Sequence, residues 1–171
     1  ALLPLKNVVL LPKSILPIIV GRQHSIRAVE YALKHNKTIF ISAQMDPDIE
    51  TPTEKDIFTH GTRAIILQVM RVPNGSLKIL VEGVCRAKII ETIHNEEFTS
   101  VFTEDIPTEF PKKDTELEAS WRTLRDLYLA YAKFNEKTPQ DLVGAEKNAA
   151  DIDYIVDTIA VHLNLSFDER Q

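Results

Sequence analysis

Apolar and polar positions are most clearly patterned between Gly61 and Ile89, in GTRAIILQVMRVPNGSLKILVEGVCRAKI. Two apolar runs meet there at Pro73-Asn74-Gly75. Gly75 suits the left-handed position that ends a three-residue hairpin loop, and Pro73 pre-sets φ at its start. With Val72 and Ser76 flanking the loop, Val69 faces Ile79 and Leu67 faces Val81. Both pairs fall on one side, which Ile65 continues and which reads as the buried face. Ile66, Met70 and Leu80 make the other side apolar as well. A sheet packed on both faces, or curled into a barrel, accounts for that.

Upstream, LLPLKNVVLLP and ILPIIVG read as two short strands. Pro4, Pro12 and Pro17 confine them to edges, ends or bulges. RQHSIRAVEYALKHN reads as a helix, with Ile26, Val29 and Leu33 at helical spacing and Asn36 as its C-terminal cap. TIFISAQ is a strand, and MDPDIETPTEKD a polar loop. After the ribbon, RAKIIETIH and FTSVFTEDI are strands that turn at Asn95-Glu96-Glu97. Residues 1–106 therefore read as a β-lobe with one helix.

The pattern changes at PTEFPKKD, and residues 107–113 read as a linker. Residues 114–171 read as a helical lobe. Asp114 caps a helix whose Leu117, Trp121, Leu124, Tyr128 and Tyr131 form one stripe. Thr138-Pro139 begins a second helix, and Ile152, Ile155, Ile159 and Leu163 share a face of a third. Ser166 and Glu169 form a capping-box pattern, so the lobe stops at the start of a further helix. Ala1 is not a natural start, and the chain reads as a trimmed piece.

Composition narrows the function. The chain has 171 residues, 44% hydrophobic and 26% charged, with a net charge of −5. That balance disfavours a general nucleic-acid binder, because phosphate binding draws on clustered Lys and Arg. The single Cys85 leaves no intramolecular disulfide framework. No run reaches the roughly 20 apolar residues that span a bilayer, and Pro12, Lys13 and Pro17 interrupt the apolar start, so no signal peptide or membrane anchor is expected.

Catalytic patterns are missing from the sequence. No phosphate-cradling glycine-rich lysine loop and no G-x-S-x-G elbow occurs. His24, His35, His60, His94 and His162 are scattered without metal-ligand spacing. Cys85 reads as a small strand residue rather than a nucleophile. Glu96-Glu97 and the Asp151/Asp153 pair read as a solvated turn and a first-turn helix charge. Two apolar clusters resist a purely structural reading. The first is LLPKSILP, where Leu10, Leu11, Pro12, Ile15 and Leu16 flank a loop with little polar cover. The second is the ribbon tip, with Met70, Val72 and Pro73. Exposed apolar clusters of this kind mark interaction sites.

Two stretches carry a resemblance. LPLKNVVLLPKSILPIIVGRQHSIRAVEYAL resembles the opening of the Lon protease N-terminal domain: Leu-Pro-Leu, a strand ending in Pro, a strand ending in Val-Gly-Arg, then a helix with Ser-Ile. The ribbon resembles that family's second signature, with Gly-Thr, a Pro-Asn-Gly turn and Val-Glu-Gly followed by Arg. Leu11 stands where many relatives have Phe. The resemblance implies an α+β fold, a PUA-like pseudo-barrel followed by a helical bundle. It implies a non-catalytic piece of an ATP-dependent Ser-Lys endopeptidase that recognises unfolded or damaged polypeptides in protein quality control. Leu10, Leu11, Pro12, Ile15, Leu16, Met70, Val72 and Pro73 would form the substrate surface. The downstream ATPase and peptidase domains would be its partners in a hexamer, with ATP and Mg bound there and no cofactor here. A bacterial cytoplasm is the implied location, with the mitochondrial matrix as the alternative.

Two other readings compete. PUA-like folds elsewhere bind RNA, and Arg63, Arg71, Lys78, Arg86 and Lys88 are the residues that would line such a surface. A cereblon-like small-ligand binder needs an aromatic cage, for which Trp121, the only tryptophan, is placed on a helix.

Overall fold

The computed structural model describes residues 1–108, 115–135, 138–139, 143, 149–163 and 165–171. They form two compact units: Ala1–Pro107 together with Ser166–Gln171, and Thr108–Leu165. The fold is α+β.

The first unit is a mixed sheet of six strands among the described residues: β1 (Leu2–Leu5), β2 (Ile15–Val20), β3 (Thr38–Ala43), β4 (His60–Arg71), β5 (Leu77–His94) and β6 (Thr99–Asp105). The order is β1-β3-β4-β5-β2, and β6 also pairs with β5. The β1–β3 pair is parallel and the others are antiparallel. β5 is long enough to hold β2 along its first half and β6 along its second. β1 and β6 come back into contact, so the sheet curls toward a barrel.

Helix α1 (Gln23–Lys34) crosses the concave side. Its Ile26, Val29 and Ala32 join Leu3, Leu5, Ile39, Ile41, Ile66, Ile79 and Val81 in the main core. The helix ends one residue earlier than expected. His35 is its cap, and the N–H groups of His35 and Lys37 both donate to the Ala32 carbonyl (3.2 and 2.8 Å). Asn36 instead accepts the Thr38 N–H at 3.0 Å, shaping the turn into β3.

The ribbon turn forms around Pro73-Asn74-Gly75. The Val72 N–H donates to Ser76 O at 2.9 Å, and Gly75 takes φ +85°. Val69 pairs with Ile79 as expected, but Leu67 does not pair with Val81. A bulge between Ile66 and Gln68 inserts one residue, so Ile66 takes that place. One extra residue reverses the alternation below it. Ala64 and Ile66 are therefore in the core, and Ile65 and Leu67 are exposed.

Gly83 holds the stretch after β1 against the sheet. The Lys13 N–H donates to Gly83 O (2.7 Å), and the Gly83 N–H donates to Ser14 O (3.0 Å). A Cβ at Gly83 would strike the Leu11 carbonyl oxygen and lie 3.1 Å from Leu11 C and Pro12 Cα. All three are backbone atoms, which cannot swing aside as a side-chain end can. Gly83→Ala is expected to destabilise the unit by about 1–3 kcal/mol through overpacking, read as a lower denaturant midpoint. An unchanged midpoint would mean that the Leu11–Pro12 backbone yields freely.

In the second unit, α2 (Thr115–Phe134) and α3 (Ala149–His162) bring Trp121, Tyr128, Ile155 and Ile159 into one core, with Leu124, Ile152 and Leu163 packed around it. The Tyr128 hydroxyl donates to Pro139 O at 2.7 Å. The expected cap Asp114 and most of the linker lie outside the described residues, as do residues 140–142 of the expected helix after Thr138-Pro139. The capping box at Ser166 is present: Glu169 Oε2 accepts from both the Ser166 N–H and hydroxyl at 2.8 Å. It opens the short α4 (Phe167–Arg170), which packs with the first unit through Phe58 and Phe167, ring centroids 6.2 Å apart.

Candidate functional site

The convex side of β2, β5 and β4 carries an exposed apolar face. Three rows cross it: Ile19–Lys78–Met70, Pro17–Leu80–Gln68 and Ile15–Glu82–Ile65. Strand alternation explains the first strand's share. Leu16, Ile18 and Val20 turn to the core, which leaves Ile15, Pro17 and Ile19 outside. Ile15 is 57% exposed, Ile19 74% and Met70 65%, whereas large apolar side chains are usually inside. Pro17, Gln68, Val69, Met70, Lys78, Ile79 and Leu80 line a shallow open depression of about 660 Å³ here.

The expected site residues divide. Ile15 and Met70 lie on this face, and Pro73 is exposed at the ribbon tip. Val72 and Leu11 are half-buried. Leu16 packs against the main core. Leu10, only 4% exposed, and Pro12 are buried and present no surface. The reason is the stretch after β1. It does not continue as a strand but folds onto Gly83, and the buried Thr62 hydroxyl donates to Leu10 O at 2.6 Å. Ile19, Pro17 and Leu80 complete the face and were missed. Their signal was the run Ile-Leu-Pro-Ile-Ile-Val, apolar at every position, which gives both sides of that strand apolar side chains.

The alternative surfaces are less coherent. Arg63 is engaged with Asp105 through Nε (3.0 Å) and Nη2 (2.5 Å), and Arg71 with Glu30 at 2.6 Å. Arg63 beside it holds the Asp105 carboxyl below the usual carboxylate range. Burial pushes the Cys85 thiol up, although Arg63 Nη2 lies 3.2 Å from its sulfur, so it favours the unreactive protonated form. Trp121 is 8% exposed inside the helical core and has no face to offer a ligand. Among the described residues no three His, Cys, Asp or Glu side chains converge as a metal site, and no helix is long and apolar enough to cross a membrane.

Residues 1–171 match the family described as the ATP-dependent protease La (LON) substrate-binding domain. The chain belongs to that family. As a Lon substrate-binding domain it is 38% identical over 170 residues to Lon protease 1 of Bacillus subtilis, covering 99% of this chain and 22% of that protein. It is also 38% identical over 170 residues to the Lon protease of Escherichia coli K12, covering 99% of this chain and 21% of the relative. The Lon domain thus spans about a fifth of the length of these curated relatives. Two solved structures share the fold. The N-terminal domain of Mycobacterium avium complex Lon protease aligns with a TM-score of 0.64 at 19% identity, covering 95% of this chain and 98% of that one. The Lon N-terminal domain protein from Xanthomonas campestris aligns with a TM-score of 0.63 at 16% identity, covering 99% and 85%.

Proposed function

We propose that this domain recognises unfolded or damaged polypeptides through the convex β2-β5-β4 face, in a bacterial cytoplasmic protease that assembles as a hexamer and degrades them with ATP and Mg bound in other domains. The observation that carries this is the exposure of Ile15, Ile19 and Met70 together around Pro17 and Leu80 on one face. Folded proteins bury such side chains, so a face of this kind meets apolar segments only where a partner has lost its own core. Each Leu-sized contact contributes about 1.5–3 kcal/mol before ordering costs. A few such contacts give weak, sequence-tolerant capture. Copies of the face on several subunits would add avidity without new contacts. The division into two lobes joined by a linker at residues 107–113 belongs to the same proposal.

The test is binding of a fluorescently labelled, permanently unfolded protein such as reduced casein. Ile19→Asp combined with Met70→Asp is expected to weaken binding at least about tenfold, the equivalent of 1.4 kcal/mol. The melting temperature should hardly move, because both side chains are already in water. Equal affinity of the double variant and the parent chain would remove the face from consideration.

A further inference from the structure

We infer that an extended polypeptide segment adds as a strand to the free edge of β4 between Leu67 and Val72, beside the apolar face; this rests on the reading of that face as the substrate site. β3 covers β4 only as far as Ile65, which pairs with Thr38. One residue further, the Ile66 N–H donates to Lys37 O at 2.9 Å. There the chain leaves the sheet, with Lys37 at φ +59°. The lane that β3 would occupy next to the rest of β4 is vacant among the described residues. It is roughly 16 Å long at strand rise, and Leu67, Gln68, Val69, Met70 and Arg71 are each exposed.

The register decides which backbone groups face that lane. Val72 bonds to Ser76, so alternate residues from there, Met70 with Lys78 and Gln68 with Leu80, exchange bonds between β4 and β5. Val69 and Arg71 therefore turn their N–H and C=O groups away from β5, into the lane. The opposite border of the face is different. Leu77, Ile79 and Val81 turn their groups to Val20, Ile18 and Leu16 of β2, so Ile15, Pro17 and Ile19 look outward. The middle one of these three is proline and has no N–H to give. β1 is built alike: Ala1 and Leu5 bond to β3, which leaves Pro4 outward. Prolines at outward positions blunt edges against strand pairing. The β4 overhang carries none.

The occupant is thereby specified. It is an extended segment of another protein whose main chain pairs with Val69 and Arg71, and whose alternate side chains lie next to Met70 on the convex face. Main-chain pairing supplies affinity without regard to sequence, and the face selects apolar residues at every second position.

The experiment measures fluorescence anisotropy of a labelled peptide of alternating Leu and Ser, and of the same peptide N-methylated at every second residue. It uses the 171-residue chain and its Val69→Pro variant. Val69→Pro deletes a donor that β5 does not use, so the sheet survives. At least about tenfold weaker binding, both for the N-methylated peptide and for Val69→Pro, is expected. N-methylated and plain peptides binding within about twofold of each other, or a folded Val69→Pro chain binding like its parent, overturns strand addition. In that case a continued loss with Ile19→Asp and Met70→Asp leaves the face itself standing. Failure of both peptides to bind the parent chain overturns the face and this inference together. A concentration-dependent dimer that Val69→Pro abolishes assigns the edge to a second copy and overturns the proposal.

Discussion

Leu10→Ala is expected to lower the stability of the first unit by about 2–5 kcal/mol, the cost of removing a buried leucine and leaving a cavity. Ile15→Ala, five residues away in the same apolar stretch, should change it by no more than about 0.5 kcal/mol. The contrast follows from packing alone. Leu10 sits in the main core with Leu3, Val20, Ile66 and Val81, while Ile15 is more than half in water. Leu10 also places its carbonyl on the buried Thr62 hydroxyl, so a shift to fill the cavity would strain that bond. Hydrogen exchange of the β5 amides is the suitable measure, because β5 is the central strand of this unit and the only tryptophan belongs to the other. Equal protection in the two variants would return Leu10 to the surface and reopen the original patch.

Trp121→Ala is expected to cost the helical unit about 3–5 kcal/mol. Small domains keep only about 5–15 kcal/mol in total, and a helical unit of this size sits at the lower end. The replacement is therefore expected to leave it only about 0–2 kcal/mol of stability, so that it unfolds on mild heating. Trp121 is the largest member of a core that otherwise relies on Tyr128, Ile155 and Ile159. Tyr128 also ties α2 to Pro139 through its hydroxyl, a bond that loses its rigid base when the tryptophan goes. Circular dichroism should show loss of helix, while β5 amide protection in the first unit stays unchanged. Simultaneous loss of protection in β5 would show one cooperative structure and refute the proposed division into two lobes.

Local features were legible because their causes are local. Pro73-Asn74-Gly75 set the turn, and the turn set the Val69–Ile79 pair within a few residues. The spacing of Ile26 and Val29 placed the buried face of α1, and Ser166 with Glu169 placed a helix start. The same reasoning failed at Leu67, where alternation was carried through a bulge. Nothing in the run Ile65-Ile66-Leu67 marks which residue is extra, since all three are apolar. The choice is made by what β2 and α1 bury on the concave side.

The candidate face divides along the same line. Its chemistry, bulky aliphatic residues and prolines in LLPKSILP and at the ribbon, is written in the chain, as are the two stretches by which the family resemblance was found. Which of those residues meet solvent is not. Leu10 and Pro12 are hidden because Gly83, some seventy residues later, lacks the atom that would hold them off, roughly the backbone clearance one methyl group takes. Ile19 and Leu80 become neighbours of Met70 only when β2 docks on β5 in one register. Sequence by itself determined that the ribbon and the Ile15–Val20 run carry apolar residues on both sides of their strands. Tertiary structure decided which side remained outside, because exposure depends on strand pairing between distant segments, and no short stretch contains that information.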